Sequence, residues 1–237
     1  MNEETEFGSK QSVGARDVDR PADAHIEPAP RAPVVVPIRS LGENHRERIR
    51  AHLIALDDHD RYLRFGYAAG DEQIGRYVES LDFKRDEIFG VYNRKLELIA
   101  MAHLAYPPDK VHGCGAEFGV SVCKTARGRG YGARLFDRAA MHARNDGINQ
   151  MFIHALSENT AMLKIARRAG AIVQRDGSES AAHLLLPAAT LDSRISEIVH
   201  EQIAQADYQL KSHAKKFRTI LDGFHNAHSD AADVSEP

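Results

Sequence analysis

Between Ala116 and Arg144 the sequence runs from an apolar alternation, through three glycines, into a helical repeat. Ala116 to Cys123 reads as a strand, because apolar residues alternate along it. Lys124 to Gly130 reads as a loop. Gly130 to Arg144 reads as a helix, with Leu135, Phe136, Ala139 and Ala143 on one face. A strand that hands over to a helix in this way belongs to layered α/β architecture. Glycines at 128, 130 and 132 let the backbone take positive φ and approach a bound group closely. The helix that follows begins with unpaired N–H groups and the positive end of its dipole. Together these make a cradle for phosphate or pyrophosphate, and Arg127 and Arg129 add positive charge.

Gly128-x-Gly130-x-x-Ala133 superficially fits the dinucleotide pattern GxGxxG/A. In that pattern the first glycine follows the strand directly, whereas here Lys124 to Arg127 intervene. No second βαβαβ half follows either. Nor is the loop a P-loop, since no Gly-Lys-Ser/Thr occurs. A plain glycine-rich turn is the remaining bland alternative.

The flanking chain reads as follows. Residues 1–33 hold four of the nine prolines and few large apolar residues, so they are expected to be a disordered tail. Residues 34–187 read as one domain. Val34 to Ile38 is a β-branched run suited to a first strand. Glu43 to Leu56 reads as a helix with Ile49, Leu53, Ile54 and Leu56 on one face, and Asp71 to Leu81 as a second carrying Ile74, Tyr77 and Val78. The segments 57–70 and 106–115 are expected to be loops. Glu87 to Tyr92 and Leu96 to Ala102 look like a hairpin around Asn93-Arg94-Lys95. Met151 to Leu156 reads as a buried strand, and Thr160 to Ala169 as a helix ended by Gly170. Ile172-Val173 and His183 to Leu186 are short strands. The order implies a mixed, helix-covered α/β sheet. Residues 188–237 form a helical extension and polar tail. There Ile195, Val199, Ile203, Ala206, Leu210, Ala214, Phe217, Leu221 and Phe224 recur at steps of three or four. This stripe either folds back on the domain or makes a homodimer seam.

Composition removes whole classes of function. With 34 acidic and 31 basic residues in 237, the net charge of −3 carries no electrostatic footprint for nucleic acid. No apolar run approaches the ~18 residues of a membrane span, and the acidic start is unlike a signal peptide. Two cysteines, Cys114 and Cys123, cannot make a disulfide framework, so a cytoplasmic setting is the default expectation. No metal site is expected: His200-Glu201 lacks the second histidine of a zincin, and His225-x-x-His228 lies in a polar tail.

Two motifs then combine. Arg127-x-x-Gly130-x-Gly132 after a strand resembles the Arg/Gln-x-x-Gly-x-Gly/Ala signature of the GNAT superfamily of acyl-CoA-dependent N-acyltransferases. Asn159-Thr-Ala-Met-Leu-Lys-Ile-Ala-Arg-Arg-Ala-Gly170 resembles the second GNAT motif, Asn-x-x-Ala-x-x-Leu-Tyr-x-x-x-Gly-Phe. The resemblance covers roughly residues 34–187. Asp60-Arg-Tyr-Leu-Arg-Phe65 further resembles GNAT domains of bacterial protein lysine acetyltransferases.

The resemblance implies a sheet splayed between the Ala116–Cys123 and Met151–Leu156 strands. It implies acetyl-CoA as cosubstrate: its pantetheine along Val120 to Lys124 and facing Asn159, its pyrophosphate on the amides of Arg127, Gly128, Arg129, Gly130, Tyr131, Gly132 and Ala133. A backbone N–H near Val122 would donate to the acyl carbonyl. The expected acceptor is a primary amine, with a protein lysine and a small amine both open. Glu117 matches the position of a glutamate that serves as base in many relatives; a strand-edge surface carboxylate is the alternative. His154 is the second candidate, although a chain with 13 histidines puts one near many sites by chance. The tyrosine that many relatives use as acid is Ala166 here, which leaves Tyr131, Ser157 or Cys123 as substitutes. It also raises a second reading, a non-catalytic acyl-CoA-binding sensor. Arg61 and Arg64 could bind an acidic group on the acceptor.

Overall fold

The computed structural model describes residues 36–108 and 115–232. The expected tail, Val34, Val35, Cys114 and most of the 106–115 segment lie outside the described residues. One seven-stranded sheet runs in the order β1-β2-β3-β4-β5-β7-β6. Its strands are β1 (Arg39–Ser40), β2 (Glu87–Tyr92), β3 (Leu98–Ala105), β4 (Ala116–Val122), β5 (Gln150–Leu156), β6 (Ile172–Asp176) and β7 (Glu179–Leu185). All neighbours are antiparallel except β4 and β5.

The helices are α1 (Arg46–Ile54), α2 (Asp58–Phe65), α3 (Asp71–Glu79), α4 (Tyr131–Asn145), α5 (Thr160–Arg168) and α6 (Leu191–Ala232). The period of two along β2 and β3 sorts their side chains onto two faces, with Leu98 switched across by the register shift at Val91/Tyr92. Phe89, Val91, Ala100, Ala102 and Leu104 join Leu135, Phe136 and Ala139 of α4 in one core. Ile88, Tyr92, Leu98 and Met101 join Ile49 and Leu53 of α1 and Ile74 and Val78 of α3 in the other.

Three expectations are corrected. The first described strand forms at Arg39–Ser40, and of the expected Val34 to Ile38 run the described residues 36–38 lie outside it. Pro37 has no N–H to give to a ladder, and pairing with β2 begins after it. The 57–70 segment is not all loop, because α2 occupies eight of its residues. Asp57 caps α2 by accepting the Asp60 N–H at 2.9 Å, and Gly66 closes it at φ 79°.

The third correction concerns the C-terminal stripe. A single helix, α6, does fold back on the domain, but through its polar side. Glu197 accepts from Arg138 at 2.7 Å, His142 at 2.6 Å and Asn145 at 2.6 Å. Ser193 and Ala204 are buried on the same side. Ile195, Val199, Ile203 and Leu210 are exposed instead. For Ala214, Phe217, Leu221 and Phe224 only the helical backbone is described.

Candidate active site

β4 pairs with β5 only at Ala116↔Met151 and Glu117↔Phe152. Beyond Glu117 the two strands part, while β4 stays paired with β3 as far as Val122↔Ala100. The parting opens a cleft whose two walls are strand backbone. Ala116 and Phe118 point into the α4 core, with Val120 and Val122 partly packed against it. Glu117, Gly119 and Ser121 therefore point to the opposite face, the one that α2 covers. Phe152 and His154 lie on that face of β5. Glu117 and His154 are both exposed, one on each wall of the cleft.

The glycine loop sits at the end of β4. After Cys123 one 3-10 turn (Lys124–Ala126) leads into it. Gly128 and Gly130 have φ of 74° and 77°, where a side chain would be strained. No heavy atom lies within 4 Å of a Cβ built on either, so open space faces the loop. Gly132 is needed for closeness instead: a Cβ there would come 3.2 Å from Ile165 of α5. Gly130 is the N-cap of α4 and supplies no side-chain cap, which leaves the first-turn amides for an external acceptor.

The loop's cations are ordered from α2. The Arg127 guanidinium pairs with Asp60, a carboxylate that is only 7% exposed, and this hydrogen bond raises the Arg127 pKa. Lys124 Nζ lies 3.7 Å from Asp57 Oδ2. The Asp57 carboxyl is held below its ordinary range by the backbone N–H of Asp60, with Lys124 contributing. Arg129 is exposed and makes no ion pair among the described residues. On the far wall Asn159 caps α5, its Oδ1 accepting from the Met162 N–H at 3.1 Å. Its NH2 group donates to nothing among the described residues.

Two polar networks that the sequence reading missed back the Glu117 face. In the first, Arg64 of α2 lies across Gly119, its guanidinium occupying the place of a side chain at 2.8–3.0 Å from a built Cβ. Arg64 donates to Tyr77 Oη at 2.8 Å, so the phenol donates to His103 Nδ1 at 2.8 Å. His103 Nε2 then donates to Asp86 at 3.1 Å. Burial would raise the Asp86 carboxyl, but hydrogen bonds from His103, Arg85 and the Tyr106 N–H outweigh it and hold the pKa low. Burial pushes the Tyr77 phenol up. Arg61, by contrast, points into α2's surroundings, donating to Leu56 O at 3.1 Å and pairing with Asp71 at 2.8 Å.

In the second network, His52 of α1 donates from Nδ1 to Leu98 O at 2.9 Å and accepts from Ser121 at 2.8 Å. Burial pulls its pKa down to about 4. His52 also lies 3.4 Å from Cys123 Sγ, a proximity across 71 residues that no local spacing announces. The imidazole is neutral and committed to Leu98, and burial pushes the Cys123 thiol up. No thiolate–imidazolium pair forms, so Cys123 is a partly buried thiol just past the end of β4 and not an activated nucleophile.

The substitutes for a general acid divide clearly. Ala166 is fully buried in the core. The Ser157 hydroxyl is tied to Glu179 O at 2.8 Å and Ser180 Oγ at 2.8 Å, toward the β6–β7 hairpin. Tyr131 opens α4 and is half-buried beside the loop. Among the described residues there is no group of three or more His, Cys, Asp or Glu that could hold a metal ion. No described helix is long and apolar enough to cross a membrane.

Comparison with known structures finds the same fold. The GNAT domain of Streptomyces lividans PAT aligns at a TM-score of 0.55 and 22% identity, covering 65% of this chain and 95% of that one. A putative acetyltransferase from Acinetobacter baylyi gives 0.53 and 16%, covering 64% and 93%. The spermidine N-acetyltransferase of Vibrio cholerae, solved with CoA and spermine, gives 0.51 and 15%, covering 64% and 95%. Comparison with curated proteins finds no match. Residues 52–171, half of the chain, match the acetyltransferase (GNAT) family. With its parted β4 and β5 and its glycine loop on bare helix amides, the chain belongs to the GNAT family of acyltransferases.

Proposed function

We propose that this protein transfers an acetyl group from acetyl-CoA to a primary amine by direct attack in a ternary complex. The observation that carries the reading is the cleft between β4 and β5, with uncapped helix amides at its mouth and a carboxylate on its wall. The donor set fits the cosubstrate. Amides of residues 127–133 with Arg129 suit a pyrophosphate, and the unpaired edges of β4 near Val120, Val122 and Lys124 suit pantetheine amides. The Asn159 NH2 group adds a donor on the far wall. Acetyl-CoA supplies the activated thioester.

The chain's own residues must supply a neutral amine. A lysine-type amine with a pKa of ~10.4 is protonated at pH 7, which costs ~4.6 kcal/mol to reverse. Glu117 is the base that takes this proton, directly or through one water, and His154 is the second candidate. The backbone N–H near Val122 donates to the acyl carbonyl. Departure of a thiolate, with a pKa of ~8.5, needs little acid help. Tyr131 is the remaining hydroxyl candidate, since Ser157 is engaged elsewhere.

A protein lysine is one acceptor class and a small amine the other. The Arg64 guanidinium over Gly119 would favour an acceptor with an anionic group beside its amine. Thermal-shift titration with acetyl-CoA, CoA and NADPH tests the cosubstrate. Ligand at ~100 times its dissociation constant adds ~2.7 kcal/mol, expected for the CoA ligands and not for NADPH. Thiol release with a panel of amines then tests transfer, and Glu117→Gln should lower kcat by about 100-fold or more at neutral pH. Full rate in that variant across pH 6–9 would remove Glu117 from the mechanism. Buried Ala166 favours one other reading, an acyl-CoA-binding sensor, for which tight binding without any CoA release would be the mark.

A further inference from the structure

We infer that α6 pairs with α6 of a second copy of this chain, antiparallel, through the stripe Ile195, Val199, Ile203, Ala206 and Leu210. A surface helix normally buries its apolar face and shows its polar one. Here α6 is inverted. Ser193, Glu197, Ala204 and Lys211 face the domain, and Lys211 Nζ reaches Tyr92 O at 3.1 Å. On the opposite side Ile195 is 60% exposed and Leu210 72%, with Ile198 beside them at 62%. An apolar band of this size facing water marks an interaction surface.

Three observations identify the occupant as a second copy. First, the stripe follows a 4-4-3 spacing from Ile195 through Leu221 in the sequence. That eleven-residue repeat matches the helix pitch closely, so the stripe runs nearly straight along a helix of 42 residues, about 63 Å. A repeat of this kind is the signature of helix-to-helix association.

Second, the pattern is self-complementary about a two-fold axis at Ala206. That axis sets 203 opposite 209, 199 opposite 213 and 195 opposite 217, so the apolar positions 203, 199 and 195 meet the apolar positions 210, 214 and 217 to within one residue. The small residue at the axis permits close approach. Third, charge selects the antiparallel sense. Asp192 and Arg194 offset each other at one end of the stripe, whereas Lys215, Lys216 and Arg218 gather positive charge at the other. A parallel pair would set like charges together. Asp207, near the axis, is already neutralised by Lys211 of its own helix at 2.6 Å. Because the docked face and the stripe lie on opposite sides of α6, both domains sit outside the pair without collision.

The test uses the full chain and is independent of the acetyl-transfer reading. In sedimentation velocity it should run at twice its 26.3 kDa mass. Ile203→Lys and Leu210→Lys should each weaken the dimer by about 30-fold or more, as for a central interface residue, with unchanged circular dichroism. With Cys114 and Cys123 replaced by Ser, Ala206→Cys should oxidise to a covalent dimer, whereas Ile195→Cys should not. A wild-type monomer at every concentration overturns the proposal, as does a dimer indifferent to both lysine variants. Cross-linking at 195 but not at 206 overturns the antiparallel sense.

Discussion

Helices α4 and α6 lie against each other and obey opposite rules. On α4, Leu135, Phe136, Ala139 and Ala143 are all buried in the core, as their spacing requires. On α6 an equally regular spacing is turned outward, and a carboxylate does the docking. Periodicity reports which residues share a face. It does not report which face turns inward, because that depends on what the neighbour offers. Here α4 offers Arg138, only 5% exposed along its side chain, with His142 and Asn145 one turn and two turns on. A buried guanidinium needs a carboxylate more than a helix needs to hide isoleucines that another chain can cover.

The sharpest break between the two helices is in stability. Phe136→Ala removes an aromatic ring packed 5.0 Å from Phe118 in the core. It should cost about 3–5 kcal/mol in denaturant unfolding. Leu191→Ala, at 81% exposure on α6, should stay within about 0.5 kcal/mol.

Next in size is the anchor. Glu197→Ala leaves Arg138 and His142 short of a partner and should cost about 2–4 kcal/mol. Hydrogen exchange should show residues 191–212 losing protection while β2 to β5 keep theirs.

Acid should separate the same regions. Burial would raise the Glu197 pKa, but the bonds from His142, Asn145 and Arg138 pull it from 4.5 to about 2. A depressed carboxylate stabilises above its unfolded pKa, so docking of α6 weakens as pH falls from about 4.5 toward 2. His52, lowered from 6.5 to about 4, is neutral in the fold. The unfolded chain takes up its proton first, so the α1–β4 contact loses stability earlier, as pH falls from 6.5 to 4. Two resolved acid steps in exchange rates would uphold the distinction, and a single step would erase it.

The smallest contrast is at the helix starts. Thr190 and Ser193 cap α6 reciprocally, at 3.1 and 3.2 Å, while α4 starts bare at Gly130. Thr190→Ala should cost about 1 kcal/mol locally. Gly130→Ala should cost a similar amount through its φ of 77°, and should also weaken acetyl-CoA binding. Equal ligand affinity in that variant would detach the loop from the cosubstrate.

What could be read from sequence follows the same division. The glycine loop, α4, β5 and α5 were legible because each carries its signal locally: positive-φ glycines, one apolar face, an asparagine cap. Helix α2 was not, because Asp-His-Asp-Arg-Tyr-Leu-Arg-Phe makes only about two turns and its three large apolar residues, Tyr62, Leu63 and Phe65, are too few to announce a helix in a polar run. Its capping Asp57 and closing Gly66 were the available signals. The pairings Asp60–Arg127 and His52–Ser121 join residues about 70 apart, and no local pattern encodes such contacts. Glu117 and His154 could be named, but only the parting of β4 from β5 sets them on facing walls.

Helix α2 is eight residues long and pinned at both ends. Asp57 and Asp60 grip the cations of the glycine loop at its start, and Arg64 near its end rests on Gly119, two positions from Glu117. Held at both ends, the rod joins the loop to the Glu117 face. Any shift of the loop is delivered to the face where an amine would arrive, and any push on that face returns to the loop. With acetyl-CoA and an amine on these two sides, as proposed, any coupling carried by α2 must change both affinities by one common factor.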